Sequence, residues 1–104
     1  LTFKENCSDL RNTRAIDIIE ELKEYNCQVD VYDPMVSPEE AKNEYNVVPI
    51  KTPKSNFYDG IILAVAHDKF SKMGSTAIRK KGKPIHILYD LKYILSAEEA
   101  DLRL

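Results

Sequence analysis

Ile61-Ile62-Leu63-Ala64-Val65-Ala66 is the longest apolar run in the chain, and it narrows the choice of fold more than any other feature. It falls far short of the ~20 residues needed to span a bilayer. Its length and lack of alternation suit a strand covered on both faces, as in a parallel sheet. A helix pattern comes directly after it, with Asp68 as its cap and Phe70, Met73 and Ala77 facing inward. Lys80-Lys81-Gly82 reads as the helix exit, with cations at the negative end of the dipole and glycine beyond. Ile85–Asp90 then predicts a second strand. Strand, helix and strand in that order call for parallel pairing through a crossover.

The first half carries the same alternation. Ile16, Ile19, Leu22 and Tyr25, widened by Ala15 and Ile18, form an apolar stripe that predicts a helix from Thr13 to Tyr25. Asn12 or Thr13 can cap it, and Asn26 suits a left-handed exit. Gln28–Asp33 alternates like a strand and stops at Pro34. Ser37-Pro38-Glu39-Glu40 has the residues of a capping box with proline at the first helical position, and that helix should end near Tyr45. A last helical turn is expected after Ser96, with Glu99 in the capping-box place. The expected class is α/β: a Rossmann-like three-layer α/β/α arrangement with a mostly parallel sheet, in one domain over residues 1–104. The chain opens Leu-Thr-Phe-Lys, which reads as a cut inside a longer polypeptide. The first strand should therefore be truncated, leaving a sheet edge that encourages association.

The net charge is -2, so bulk attraction to nucleic acid or anionic lipid is not expected. Any bound anion must be held by a few placed cations. Parallel sheets bind ligands at the carboxyl ends of their strands, which directs attention to 4–11, 33–36, 66–69 and 90–93. Lys4 and Arg11 lie before the first helix, where N–H groups and the dipole also attract a phosphate. The competing reading is a solvated loop in which Lys4 pairs with Glu5 or Asp9 and Arg11 with Asp9. Asp33 could accept a ribose hydroxyl, but a cap on the turn into Pro34 is the better local explanation, and the same holds for Asp90. His67 suits the start of a helix better than catalysis. His86 is read as a tolerated residue facing a polar gap. Neither histidine has a second ligand at metal spacing. Cys7 and Cys27 lack CxxC spacing and read as free thiols, with Cys27 at a core or strand edge.

Leu1-Thr2-Phe3-Lys4-Glu5-Asn6-Cys7-Ser8-Asp9-Leu10-Arg11-Asn12-Thr13 resembles the opening of the C-terminal UDP-binding domain of the UDP-glucose/GDP-mannose dehydrogenase family. It is most similar to the branch acting on UDP-N-acetylhexosamines, whose loop reads much like FKENCPDLRNT. Val29–Pro34, Ala64–Phe70 and Leu88–Lys92 continue the resemblance in family order across the chain. Ser8 stands where that branch commonly has proline. Leu91-Lys92 stands where many relatives have Gly-Arg, which exchanges a planar bidentate contact for a point charge.

The resemblance implies substrate contacts from Phe3, Lys4 and Lys92, and a contact from Arg11 across the cleft to the phosphates of NAD. It implies NAD held mainly by an N-terminal domain, a nucleophilic cysteine in an earlier domain rather than Cys7 or Cys27, and no catalytic residue in this stretch. The implied activity is the NAD-dependent oxidation of a UDP-sugar C6 alcohol to a uronic acid, in a homo-oligomeric cytoplasmic enzyme supplying capsule or O-antigen precursors. The fragment alone should bind UDP weakly and turn nothing over. Patterning by itself also admits a free-standing flavodoxin-like module that binds a nucleotide or protein without redox chemistry, or a structural interaction domain.

Overall fold

The computed structural model describes residues 15–45, 47–65 and 67–103. The chain divides into two compact units, Leu1–Thr52 and Pro53–Leu104.

In the first unit, helix α1 runs Ala15–Glu24. Residues 13 and 14 of the expected helix lie outside the described residues. The helix closes on a Schellman motif: Cys27 N–H donates to Leu22 O at 3.1 Å, and Asn26 N–H donates to Lys23 O at 3.0 Å. Asn26 takes φ 63, the left-handed conformation its short polar side chain tolerates. The apolar stripe ends one turn earlier than its spacing implies, because Tyr25 is 74% exposed beyond the helix end. Cys27 is an exposed free thiol rather than a core or strand-edge one, because the motif turns the chain outward there.

The expected strand Gln28–Asp33 does not form. Its backbone accepts a hydrogen bond from Ile50 N–H at Val31 O, 2.8 Å, but no ladder is built on it among the described residues. Alternation can sort side chains, yet a strand also needs a partner's N–H and C=O groups. The sorting itself is realised, since Val29 and Val31 pack against the buried group of Ile19, Val36, Ala41 and Val47. At the end of this segment Asp33 Oδ1 accepts Met35 N–H at 2.9 Å, the turn-capping role. Helix α2, Pro38–Tyr45, begins on proline as its sequence requires and ends where expected.

The second unit holds a sheet of order β1-β2-β3, parallel throughout. Strand β1 is Tyr58–Leu63, helix α3 Asp68–Arg79, strand β2 Gly82–Asp90 and strand β3 Leu102–Arg103. This is the α/β class with the parallel pairing that the pattern calls for. Strand β1 starts before the apolar run and stops within it, because the ladder tracks β2 rather than hydropathy. Its register is irregular between Tyr58 and Gly60, pairing Tyr58 with Gly82 and Gly60 with Ile87. Pro84 lies in the part of β2 that this irregularity skips, where its missing N–H is not needed.

Among the described residues of this unit, one face of the sheet is covered and the other is largely exposed. Leu63, Ile78, Leu88 and Leu95 bury one face together with Ile61, Met73 and Ile94. On the other face Ile62 is 39%, Ile85 91% and Ile87 54% exposed.

Helix α3 starts with His67 at the N-cap, and Asp68 stands at the first helical position instead of capping. The helix is also broken. Gly74 has φ 75 and ψ 165, so two shorter helical pieces meet at a kink that the periodicity conceals. Gly82 is not the left-handed glycine beyond a helix; it is buried as the first residue of β2. A Cβ placed there would lie 2.5 Å from His86 Cγ, so glycine is required for close approach. Gly82→Ala should therefore destabilise the protein by about 2 kcal/mol. A thermal melt should show most of that loss recovered in Gly82→Ala/His86→Ala, where the clashing ring is gone.

Strand β3 carries no hydrophobic signature in the sequence. It forms because Asp101 bridges to β2: its N–H donates to Leu88 O at 2.9 Å, and its Oδ2 accepts Leu88 N–H at 2.8 Å. The helical turn expected after Ser96 is a single turn, with the capping-box bond present from Ser96 N–H to Glu99 Oε1 at 3.0 Å.

Candidate functional site

The carboxyl ends of β1 and β2 in the second unit lie side by side, with Leu63 paired to Asp90. Asp90 is fully buried and organises the loop beyond β2. Its Oδ1 accepts Lys92 N–H at 3.2 Å and its Oδ2 accepts Leu95 N–H at 2.8 Å. Leu91 N–H donates to Leu63 O at 3.0 Å, fastening the same loop to β1. These bonds bend the chain so that Lys92 and Tyr93 face solvent, with Tyr93 at φ 55. Asp90 thus has the turn role favoured on local grounds, and its carboxylate is occupied by backbone donors. Lys92 emerges as a cation raised on a loop fixed at the end of a parallel sheet, where such sheets take ligands.

His67, beside the end of β1, is buried at 1% exposure and packs its ring 5.5 Å from Phe70. Its carbonyl accepts Phe70 N–H at 3.0 Å, so its backbone starts α3, as expected for this position. Phe3, Lys4 and Arg11, the other expected ligand-binding residues, lie outside the described residues, as does Cys7.

A second group of interacting charged residues sits elsewhere in this unit. Arg79, at the end of α3, donates from Nη2 to Glu99 O at 2.8 Å and from Nη1 to Asp101 Oδ2 at 3.1 Å. His86 Nδ1 lies 2.6 Å from Lys83 O and its Nε2 lies 3.1 Å from Arg79 Nη1. The polar surroundings expected for His86 are therefore this Arg79 cluster. Hydrogen bonds from Ser96 N–H, and then from the Ser75 and Ser96 hydroxyls, hold the Glu99 carboxyl below its ordinary 4.5. The hydrogen bond from Arg79, followed by that from Leu88 N–H, holds Asp101 below its ordinary 3.8. Both groups lose protons more readily when folded, so their contribution is complete above those ordinary values and disappears as pH falls through the folded ones. Acid titration of folding should show stability falling below about pH 4, with a shallower fall in Glu99→Gln. An identical acid profile in the variant would contradict the assignment.

The sequence holds no glycine-rich dinucleotide-binding turn. Its glycines are Gly60, Gly74 and Gly82, none of them in a Gly-x-Gly-x-x-Gly arrangement, and the β1–α3 junction contains none. Among the described residues, no group of three or more His, Cys, Asp or Glu side chains could hold a metal ion. No helix among them is long and apolar enough to cross a membrane.

The chain is 62% identical over 104 residues to a UDP-N-acetyl-D-glucosamine 6-dehydrogenase of Pseudomonas aeruginosa, covering 100% of the chain and 25% of that protein. It is 55% identical over 103 residues to the protein of the same name from Salmonella typhi, covering 99% of the chain and 24% of the relative. A more distant relative is Protein CapL of Staphylococcus aureus, 39% identical over 102 residues, with 98% and 24% covered. The chain thus spans about a quarter of the length of these relatives. Residues 1–97 match the sequence model described as the UDP-glucose/GDP-mannose dehydrogenase family, UDP binding domain, and the chain belongs to that family.

Proposed function

We propose that residues 1–104 are the C-terminal UDP-sugar-binding domain of an NAD-dependent UDP-N-acetylhexosamine 6-dehydrogenase. UDP-glucose is the alternative substrate. The identity of 62% across the whole chain to a protein of that activity carries the reading. Lys92 at the carboxyl end of β2 suits it physically, because a diphosphate needs placed cations where net charge offers none. In this reading Phe3, Lys4 and Lys92 bind the UDP side of the substrate, and Arg11 reaches the phosphates of NAD. NAD itself, which supplies hydride acceptance, is held by the rest of the enzyme. The chain supplies no nucleophile and no general base; its role is binding and orientation, so that binding energy from the remote nucleotide positions C6.

The whole enzyme is read as a cytoplasmic homo-oligomer oxidising the C6 alcohol to a uronic acid for capsule or O-antigen polysaccharide. CapL among the relatives favours the capsule branch. The test is calorimetric titration of UDP into the full-length enzyme and its Lys4→Ala variant. A loss of about tenfold in affinity is expected for removal of one charge-assisted contact. Equal affinities would remove Lys4 from the site.

A further inference from the structure

Arg103 lies on β3, and its Cα is paired in the ladder with that of Asp90. Its guanidinium sits over the Tyr93 ring, 4.1 Å from the centroid. Tyr93 is the residue after Lys92 and takes a left-handed backbone, φ 55, within the loop that Asp90 holds. The two cations therefore come from different segments, the loop beyond β2 and strand β3, and are brought to the same end of one sheet. Stacking engages the face of a guanidinium and leaves its N–H donors at the edge for oxygen acceptors, with the fork geometry that suits phosphate. Two other cations of this unit are engaged elsewhere: Arg79 by Glu99, Asp101 and His86, and Lys83 by Asp59 at 3.1 Å. Asp90, the ladder partner of Arg103, is buried with its carboxylate on backbone N–H groups. Among the described residues neither Lys92 nor Arg103 forms an ion pair.

We infer that Arg103, positioned by the Tyr93 ring, joins Lys92 in a two-cation clamp for the phosphates of a nucleoside diphosphate. The clamp rests on the reading of this chain as a UDP-binding domain and adds a contact from β3 to it.

The experiment compares UDP and uridine binding to the full-length enzyme by calorimetry. Arg103→Ala should weaken UDP binding about tenfold, one charge-assisted contact's worth, while uridine affinity is unchanged. Tyr93→Leu should weaken UDP binding severalfold, and Tyr93→Phe, which keeps the ring, should match the parent. Arg103→Gln reads the same contact if the alanine variant is poorly folded. UDP binding by the parent with no loss in Arg103→Ala or Arg103→Gln overturns the clamp alone. Equal losses for UDP and uridine overturn it too, since they mark a structural role. A parent enzyme that fails to bind UDP overturns the domain reading and the clamp together.

Discussion

Replacing Asp90 with alanine will release the 91–95 loop and cost the protein about 3 kcal/mol. The carboxylate is fully buried and accepts the N–H groups of Lys92 and Leu95. Its loss leaves the buried Leu95 N–H without an acceptor, at ~1–3 kcal/mol, and frees the more exposed Lys92 N–H to water. Leu95, which the carboxylate anchors, belongs to the buried group with Leu63, Ile78 and Leu88, so the damage extends into the core. Asp90→Asn retains one acceptor oxygen and should fall between parent and alanine. Amide hydrogen exchange at Leu95 is the direct measurement, and protection should drop sharply in Asp90→Ala. Retained protection there would mean that the loop is held by its apolar residues alone. UDP affinity should fall in the same variant, because Lys92 loses its fixed position.

Lys92→Ala should raise KM for the UDP-sugar of the full-length enzyme about tenfold or more, with a smaller change in kcat. The side chain is exposed at the carboxyl end of β2, so its removal should leave folding intact and subtract only an electrostatic contact with the diphosphate. Added salt should weaken the parent's binding more than the variant's. Lys92→Arg should match or improve on the parent, since the guanidinium fork meets phosphate with two parallel donors. Steady-state kinetics at low and high ionic strength decides this. An unchanged KM in Lys92→Ala would place the substrate's phosphates elsewhere.

The legible parts of this fold were those written in local chemistry. Asn26 announced its left-handed exit, Pro38 the start of α2, and Asp33 and Asp90 their turn-capping roles. The illegible parts depend on pairing and close approach, which no window of sequence contains. Gln28–Asp33 had the right alternation and lacked a ladder. Gly82 had the right position for a helix exit and was needed instead for contact with His86. Gly74 sat inside an amphipathic pattern that continued through its kink. Arg103 and Tyr93 come together only through β3, which Asp101 rather than hydrophobicity holds in place. Among the proposed ligand contacts, Lys92 came from family resemblance alone. Its place at the carboxyl end of β2 is what gives that assignment a physical basis.

A diphosphate should meet this chain at the end of the sheet where Asp90 bends the backbone. A crystal structure of the full-length enzyme with UDP bound tests that placement most directly. The expected result puts a phosphate oxygen about 3 Å from Lys92 Nζ, beyond the carboxyl end of β2. UDP at the opposite end of the strands, near Gly82, or held wholly by other parts of the enzyme, would contradict it.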